Sequence, residues 1–370
     1  MVTPVRIGGR LLGPEQPCFI IAEAGVNHNG DVALAGRLVD AAVEARVDAV
    51  KFQTFRAERL ASPAAPKAPY QRVRTDAAES QLEMLRRLEL SAEAHRRLQA
   101  QCRARGILFL STPFDEESAD LLETLDVPAF KIGSGEVTNL PFLQYVARKG
   151  RPLLLSTGMS HLAEVAEALQ AVRATGNDQV ALLHCVSSYP ADPAEANLRA
   201  MQTMADAWQV PVGFSDHTPG SAVAVAARAL GACVIEKHLT LDRTLPGPDH
   251  AASLEPTDFA ALVRDLRAVE AALGHGRKEP TIREAETAIA ARRSLVAARP
   301  IPAGTILTEE SILIQRPGNG LPPSLRSQFI GRRARRDIPT GALLAWTMVD
   351  GSVGESAGLM HASHATQGRA

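Results

Sequence analysis

The 370-residue sequence predicts a (β/α)8 barrel followed by a small second module. Eight short apolar runs alternate with segments of helical period. Eight such units filling about 270 residues match the count and length of a closed parallel barrel. No G-x-G-x-x-G follows the first run, which argues against a doubly wound open sheet. After Ser294 the texture changes to short strands punctuated by Pro and Gly.

Residues 5–12 read as a short hairpin closing the barrel's bottom. The eight strands are CFIIAEA, AVKFQ, ILFLST, AFKIGS, PLLLST, VALLHCVS, PVGFSDH and ACVIEKHLT. Helical period falls on residues 31–46, 79–105, 161–175 and 197–209, and the last barrel helix on 256–273. The string GHGRKEPT that follows reads as a linker, and residues 282–293 as a helix leading onward. The predicted division is a barrel over 1–274, a linker over 275–293, a small module over 294–350 and a disordered tail from 351. Fewer than about sixty residues make a poor independent core, so the module is expected to pack on a barrel, its own or a partner's.

Lys and Arg number 40 against 41 Asp and Glu, a net charge of −1. That balance, without a basic stretch carrying aromatics, points away from nucleic acid and anionic membranes. No run reaches the roughly 18 apolar residues of a membrane span, and the first residues lack the pattern of a signal peptide. Cys18, Cys102, Cys185 and Cys233 form no C-x-x-C pair. They read as buried reduced thiols in a cytoplasmic protein.

Catalytic groups of such barrels sit at the C-terminal rim. The strand ends supply Glu23; Lys51 and Gln53; Lys131, Ser134 and Glu136; Ser156; Ser187 and Tyr189; Ser215 and His217; and Glu236 and His238, with Asp249 beyond. Alternation along a strand puts Lys51 with Gln53, Ser215 with His217, and Glu236 with His238 on common faces. His217 and His238 end two successive strands, and neutral imidazole is a common transition-metal ligand. Lys51 and Lys131 lie among apolar neighbours and need an anion close by. Each alone could pair with a structural carboxylate; two of them beside hydroxyls favour an anionic substrate. His184 has the opposite parity to Ser187 and is expected to face the helices. His28 and His250 lie on rim loops and stand as further candidates. His95, His161, His275, His361 and His364 are expected in solvent.

The strings IIAEAGVNHNGD, VKFQT, FKIGSGE, LSTGM, HCVSSYP, GFSDHT and IEKHLTLDRTLPGPDH together resemble the sialic acid synthase (N-acetylneuraminate synthase, NeuB-type) family, from near the start to about Val349. The segment from Ser294 resembles that family's SAF, or antifreeze-like, domain. The resemblance implies a transferase that condenses phosphoenolpyruvate with an N-acetylated hexose, giving a nine-carbon 2-keto acid and phosphate. It implies a divalent metal on His217 and His238, manganese first, with magnesium or cobalt as alternatives. Lys51, Lys131, Ser134, Ser156 and Ser215 would hold phosphoenolpyruvate. Glu23, Gln53, Glu136, Tyr189 and Asp249 would surround the sugar, with Glu23 a candidate for proton transfer. Arg316 resembles a residue that reaches the sugar from the other subunit, implying a domain-swapped homodimer. Sialic acid enzymes commonly carry asparagine where this chain has Ser187, so a 2,4-diacetamido-6-deoxy hexose competes with N-acetylmannosamine as acceptor. The alternatives are a metal-dependent pyruvate aldolase on the same barrel and a non-catalytic carbohydrate-binding protein.

Overall fold

The apolar runs form one sheet of eight parallel strands in a computed structural model of the chain, which describes residues 2–76 and 78–351. A hairpin of β1 (Val5–Ile7) and β2 (Arg10–Leu12) comes first. The barrel strands are β3 (Phe19–Gly25), β4 (Ala49–Thr54), β5 (Leu108–Pro113), β6 (Phe130–Ile132), β7 (Leu153–Ser156), β8 (Val180–Cys185), β9 (Val212–Asp216) and β10 (Val234–His238). Hydrogen-bonded order runs from β5 through β4, β3, β10, β9, β8 and β7 to β6. β5 and β6 lie side by side at the seam, so the barrel is nearly closed.

The helices of this unit are α1 (Val32–Glu44), α2 (Ala57–Leu60), α3 (Pro69–Arg74), α4 (Gln81–Leu88), α5 (Ala92–Arg105), α6 (Glu116–Thr124), α7 (Leu140–Ala147), α8 (Leu162–Arg173), α9 (Arg199–Trp208), α10 (Ala222–Ala229) and α11 (Pro256–Leu273). Their ends follow local chemistry. Asp31 caps α1 by accepting from the amides of Ala33 and Leu34. The helix expected over 79–105 is two helices. Ser80 and Glu83 form a reciprocal capping box at α4, and Ser91 caps α5 by accepting from Ala94 N. A second cap inside the periodic run starts a separate helix. Gly106, in the left-handed region, ends α5.

Burial follows strand parity. Outward residues such as Ile20, Ala22, Val50 and Phe52 pack under the helices. Inward residues Ile21, Ala49, Leu110, Ala129, Leu154, Leu183 and Val234 fill the lower barrel together with Val5, Ile7 and Leu12 of the hairpin. His95 is not in solvent. It is wholly buried, with ring nitrogens against Thr54 Oγ1 at 2.9 Å and Ser91 O at 3.0 Å. Buried Leu98 and Cys102 lie three and seven positions on, so His95 belongs to the apolar stripe of α5. His161 and His275 are exposed. His361, His364 and all but the first residue of the expected tail lie outside the described residues.

A second unit begins at Gly276. It holds α12 (Ile282–Ala291), β11 (Ser294–Ala297), β12 (Ile312–Gln315) and α13 (Arg326–Phe329). β11 and β12 pair antiparallel. A core of its own gathers Leu295, Ile301, Leu307, Phe329, Ile338 and Leu344.

Candidate active site

One pleat step above the apolar floor, the same strands turn polar. Glu23 follows Ile21, Lys51 follows Ala49, Thr112 follows Leu110, Lys131 follows Ala129, Ser156 follows Leu154, and Glu236 follows Val234. All six are buried, Lys51 and Lys131 at 3% exposure each. They form the base of a cavity of about 410 Å³ at the C-terminal mouth.

Both lysines have carboxylate partners. Lys51 Nζ lies 2.7 Å from Glu23 Oε2 and 3.7 Å from Glu236 Oε2, and donates to Thr112 Oγ1 at 3.0 Å. Lys131 Nζ lies 3.6 Å from Glu236 Oε1 and donates to Ser156 Oγ at 2.7 Å. Ser215 Oγ donates to Glu236 Oε1 at 2.9 Å, and Gln53 Nε2 to Glu23 Oε1 at 3.2 Å. Two ammonium groups thus face two carboxylates, all four side chains buried. Burial alone would raise the Glu236 carboxyl, but Lys131 and Lys51 outweigh it and hold it below its ordinary range. The Glu23 carboxyl is pushed up by burial, against the opposing pull of Lys51.

Above this layer the two histidine rings approach with centroids 5.3 Å apart. His217 Nδ1 lies 2.8 Å from the carbonyl of Val186. A carbonyl only accepts, so Nδ1 carries a proton and Nε2 is the nitrogen that offers a lone pair when the ring is neutral. Burial alone would lower His217, but the adjoining Cys185 outweighs it and holds it above its ordinary value. His238 is held neutral, well below its ordinary value, by burial and then by the charges of His217 and Lys51. Its Nδ1 is buried with no hydrogen-bond partner and lies 3.8 Å from Asp249 Oδ2. Burial, then the nearby Glu23, pushes Asp249 up to about 7. Neutral imidazole with an unused nitrogen is the form a divalent cation binds; His238 is held in that form and His217 reaches it by giving up its Nε2 proton, so the pair fits a metal. No cluster of three or more His, Cys, Asp or Glu side chains among the described residues is arranged as a ligand set. A cation held by the two imidazoles alone would keep several positions open.

Rings roof the histidines. Tyr189 packs on His217 at 4.1 Å between centroids, and Tyr70 of α3 on Tyr189 at 4.8 Å. Leu60, Met84, Leu85 and Leu88, from the segment between β4 and α5, complete an apolar wall. Of the residues expected at the site, Glu23, Lys51, Gln53, Lys131, Ser134, Ser156, Ser187, Tyr189, Ser215, His217, His238 and Asp249 all line this cavity. Two do not. Glu136 sits in the single turn after β6 and accepts from Asn139 Nδ2 at 2.7 Å. Arg316 belongs to the second unit, where its Nε donates to Ala291 O at 3.1 Å.

His184 is half-buried against Ala196 O at 2.8 Å, outside the barrel. His28 and His250 are buried supports of the rim. His28 Nδ1 accepts from Gly30 N at 3.0 Å, and His250 Nδ1 meets Thr240 Oγ1 at 2.7 Å. Thr112, Cys185 and Tyr70 line the cavity without having been expected there, and Glu236, on the face its parity gives, carries a role that parity does not reveal. The alternation from Leu110 is the signal for Thr112; the segment holding Tyr70 carries no strand alternation.

The NeuB family model matches residues 38–278, and the SAF domain model matches 292–350. N,N'-diacetyllegionaminic acid synthase of Legionella pneumophila is 47% identical over 342 residues, 91% of this chain and 96% of that protein. The enzyme of the same name from Campylobacter jejuni is 46% identical, over 88% of this chain and 98% of its own length. Pseudaminic acid synthase of Helicobacter pylori is 32% identical, over 89% and 97%. Among solved structures, N-acetylneuraminic acid synthetase of Leptospira borgpetersenii in complex with citrate superposes with a TM-score of 0.69 at 34% identity, over 78% of this chain and 95% of that one. With its nearly closed eight-stranded barrel and these matches, the chain belongs to the NeuB family and carries a C-terminal SAF domain.

Proposed function

We propose that this protein is a transferase that condenses phosphoenolpyruvate with an N-acetylated amino sugar, giving a nine-carbon 2-keto acid and phosphate. The observation that carries the reading is the paired arrangement at the mouth: two buried lysines ringed by hydroxyls below two facing imidazoles. Lys51 and Lys131 would take the phosphate and carboxylate, with Thr112, Ser134, Ser156 and Ser215 donating hydrogen bonds. His217 and His238 would hold the divalent metal, manganese in this reading; bound there it supplies Lewis acidity toward the sugar's carbonyl oxygen. Tyr189 and the wall of the β4–α5 segment would seat the open-chain sugar so that C3 of phosphoenolpyruvate faces that carbonyl. Water then adds at C2, and phosphate leaves by C–O cleavage. Glu23, at the level of Lys51 and bonded by Gln53, would move the proton at the aldehyde oxygen or the attacking water.

Among the possible acceptors we favour a 2,4-diacetamido-6-deoxy hexose. Identity stands at 47% and 46% to the two legionaminic acid synthases against 39% and 38% to the N-acetylneuraminate-9-phosphate synthases of Mus musculus and Homo sapiens, and position 187 is serine. Phosphate release from phosphoenolpyruvate, measured with N-acetylmannosamine and a 2,4-diacetamido sugar side by side, tests both statements. Acceptor-dependent phosphate release faster with the second sugar is expected. Pyruvate release in place of phosphate would turn the reading into an aldolase, and sugar binding without turnover into a carbohydrate binder.

In the same reading the enzyme works in the cytoplasm, as its four free buried cysteines suit a reducing compartment. It acts as a homodimer in which Arg316 reaches the partner's acceptor. Mixing an Arg316→Ala protein with a His217→Ala protein should then restore turnover through hybrid dimers; no restoration would confine Arg316 to its own barrel or to no role.

A further inference from the structure

Behind the histidine pair lies a second pair, on the opposite face of the same two strands. Lys237 and Asp216 are both wholly buried, and Lys237 Nζ lies 2.7 Å from Asp216 Oδ2. Neither lines the cavity. Each directly precedes one histidine: Asp216 stands before His217 and Lys237 before His238.

An ion pair this deep is weak support for a fold. Two charges leave water, and their attraction roughly repays the cost, so well-packed apolar residues commonly do as well. Its geometry does what an apolar pair would not. Asp216 Oδ1 accepts from Thr218 N at 2.8 Å and Thr218 Oγ1 at 2.7 Å, so the aspartate folds around His217. Lys237 Nζ donates to Asp216 Oδ2 and also to the carbonyl of Thr218 at 2.7 Å. One ammonium therefore grips the residues on both sides of His217. The β9–β10 ladder ends at Lys237↔Asp216, one step before the histidines. The grip lies where regular pairing between the two strands gives out.

We propose that Lys237 and Asp216 are positioning residues for the metal site: they fix the separation and facing of His217 and His238 from behind, without touching substrate or metal. This rests on the reading of the two histidines as metal ligands. Groups that orient a metal's ligands from outside change its affinity by about 10–100-fold when removed.

The test uses the full-length protein and two titrations without turnover: free Mn2+ followed by its electron paramagnetic resonance signal, and inorganic phosphate by calorimetry. The Asp216→Leu/Lys237→Met double variant removes both charges together. Its Mn2+ affinity should fall about tenfold or more, with phosphate affinity kept within about twofold of the parent. Lys237→Arg keeps the charge and changes the grip; it should lose Mn2+ affinity in the same selective way, and it carries the test if the double variant does not fold. Unchanged Mn2+ affinity in a folded variant overturns the proposal, as does an equal loss for both ligands, which would mean general loosening. The parent protein and His217→Ala separate the two levels. If the parent binds no Mn2+, the metal reading itself fails and this inference with it. If the parent binds Mn2+, His217→Ala loses it and the variants keep it, only the positioning role fails.

Discussion

The floor and the mouth of the barrel are built from the same strands, on the same face, one pleat step apart. Ile21, Ala49, Leu110, Ala129, Leu154 and Val234 make the floor; Glu23, Lys51, Thr112, Lys131, Ser156 and Glu236 stand two residues further on. That step is about 6.6 Å along a strand. Burial barely differs, at 0% exposure for Leu110 and 2% for Thr112. What separates core from site is therefore polarity at equal burial. The floor is satisfied by packing alone, whereas every group of the polar layer needs a partner, and its partners are one another. A site of this kind is coupled: removing one member leaves the others short of a partner while buried.

The most severe way to break the comparison is at the top. His217→Ala should reduce phosphate release by at least about a thousandfold, since Lewis acid stabilisation is worth several kcal/mol. The apolar floor beneath stays intact, so the unfolding midpoint should move little. Chelator treatment of the parent should give the same loss, reversed by added Mn2+. Full turnover in chelated protein would remove the metal from the reaction.

The next pair sets mouth against floor directly. Lys51→Met strips Glu23 and Glu236 of a shared cation. Breaking a buried pair by removing one partner costs about 3–5 kcal/mol, and losing the ammonium should cost turnover about a hundredfold or more. Leu110→Ala, one level down on the neighbouring strand β5, should cost a similar amount of stability, about 2–5 kcal/mol, with turnover of the folded protein close to the parent's. Denaturant unfolding and phosphate release on the two proteins separate the effects. Equal loss of turnover in both would mean that the layers are not independent.

The barrel is legible in the sequence because each apolar run is short and alternates, and because strand ends of one parity meet at one rim. That alone locates Lys51, Lys131, His217 and His238. Their partners are harder to read. Glu236 stands on the correct face, yet its contact with both lysines depends on how the strands stagger around the barrel. Tyr70 comes from a segment of short helices whose path over the mouth is set by tertiary packing. Lys237 and Asp216 face away from the site, so a search along the inner face passes over them. His95 shows the reverse error: a polar ring suggests solvent, but the helical stripe it shares with Leu98 and Cys102 puts it inside.

The smallest expected effect sharpens the mouth itself, testing whether the acceptor and phosphate ends of the proposed function are distinct. Ser187 follows β8 and lines the cavity. A Cβ built on Gly158 would stand 2.3 Å from Ser187 Oγ and 2.9 Å from Ser134 Oγ, so the space on that side is already filled. The longer amide of asparagine has to turn into the cavity instead. Ser187→Asn should therefore shift the ratio of kcat/KM for N-acetylmannosamine over a 2,4-diacetamido sugar by about tenfold toward the former, the scale on which a pocket discriminates one small group of its substrate. The KM for phosphoenolpyruvate should stay put, because Lys51 and Lys131 draw their partners from Glu23, Thr112, Ser156 and Glu236 rather than from residue 187. A raised KM for phosphoenolpyruvate with an unchanged sugar ratio would place Ser187 at the anion end, and the two ends of the mouth would have to be redrawn.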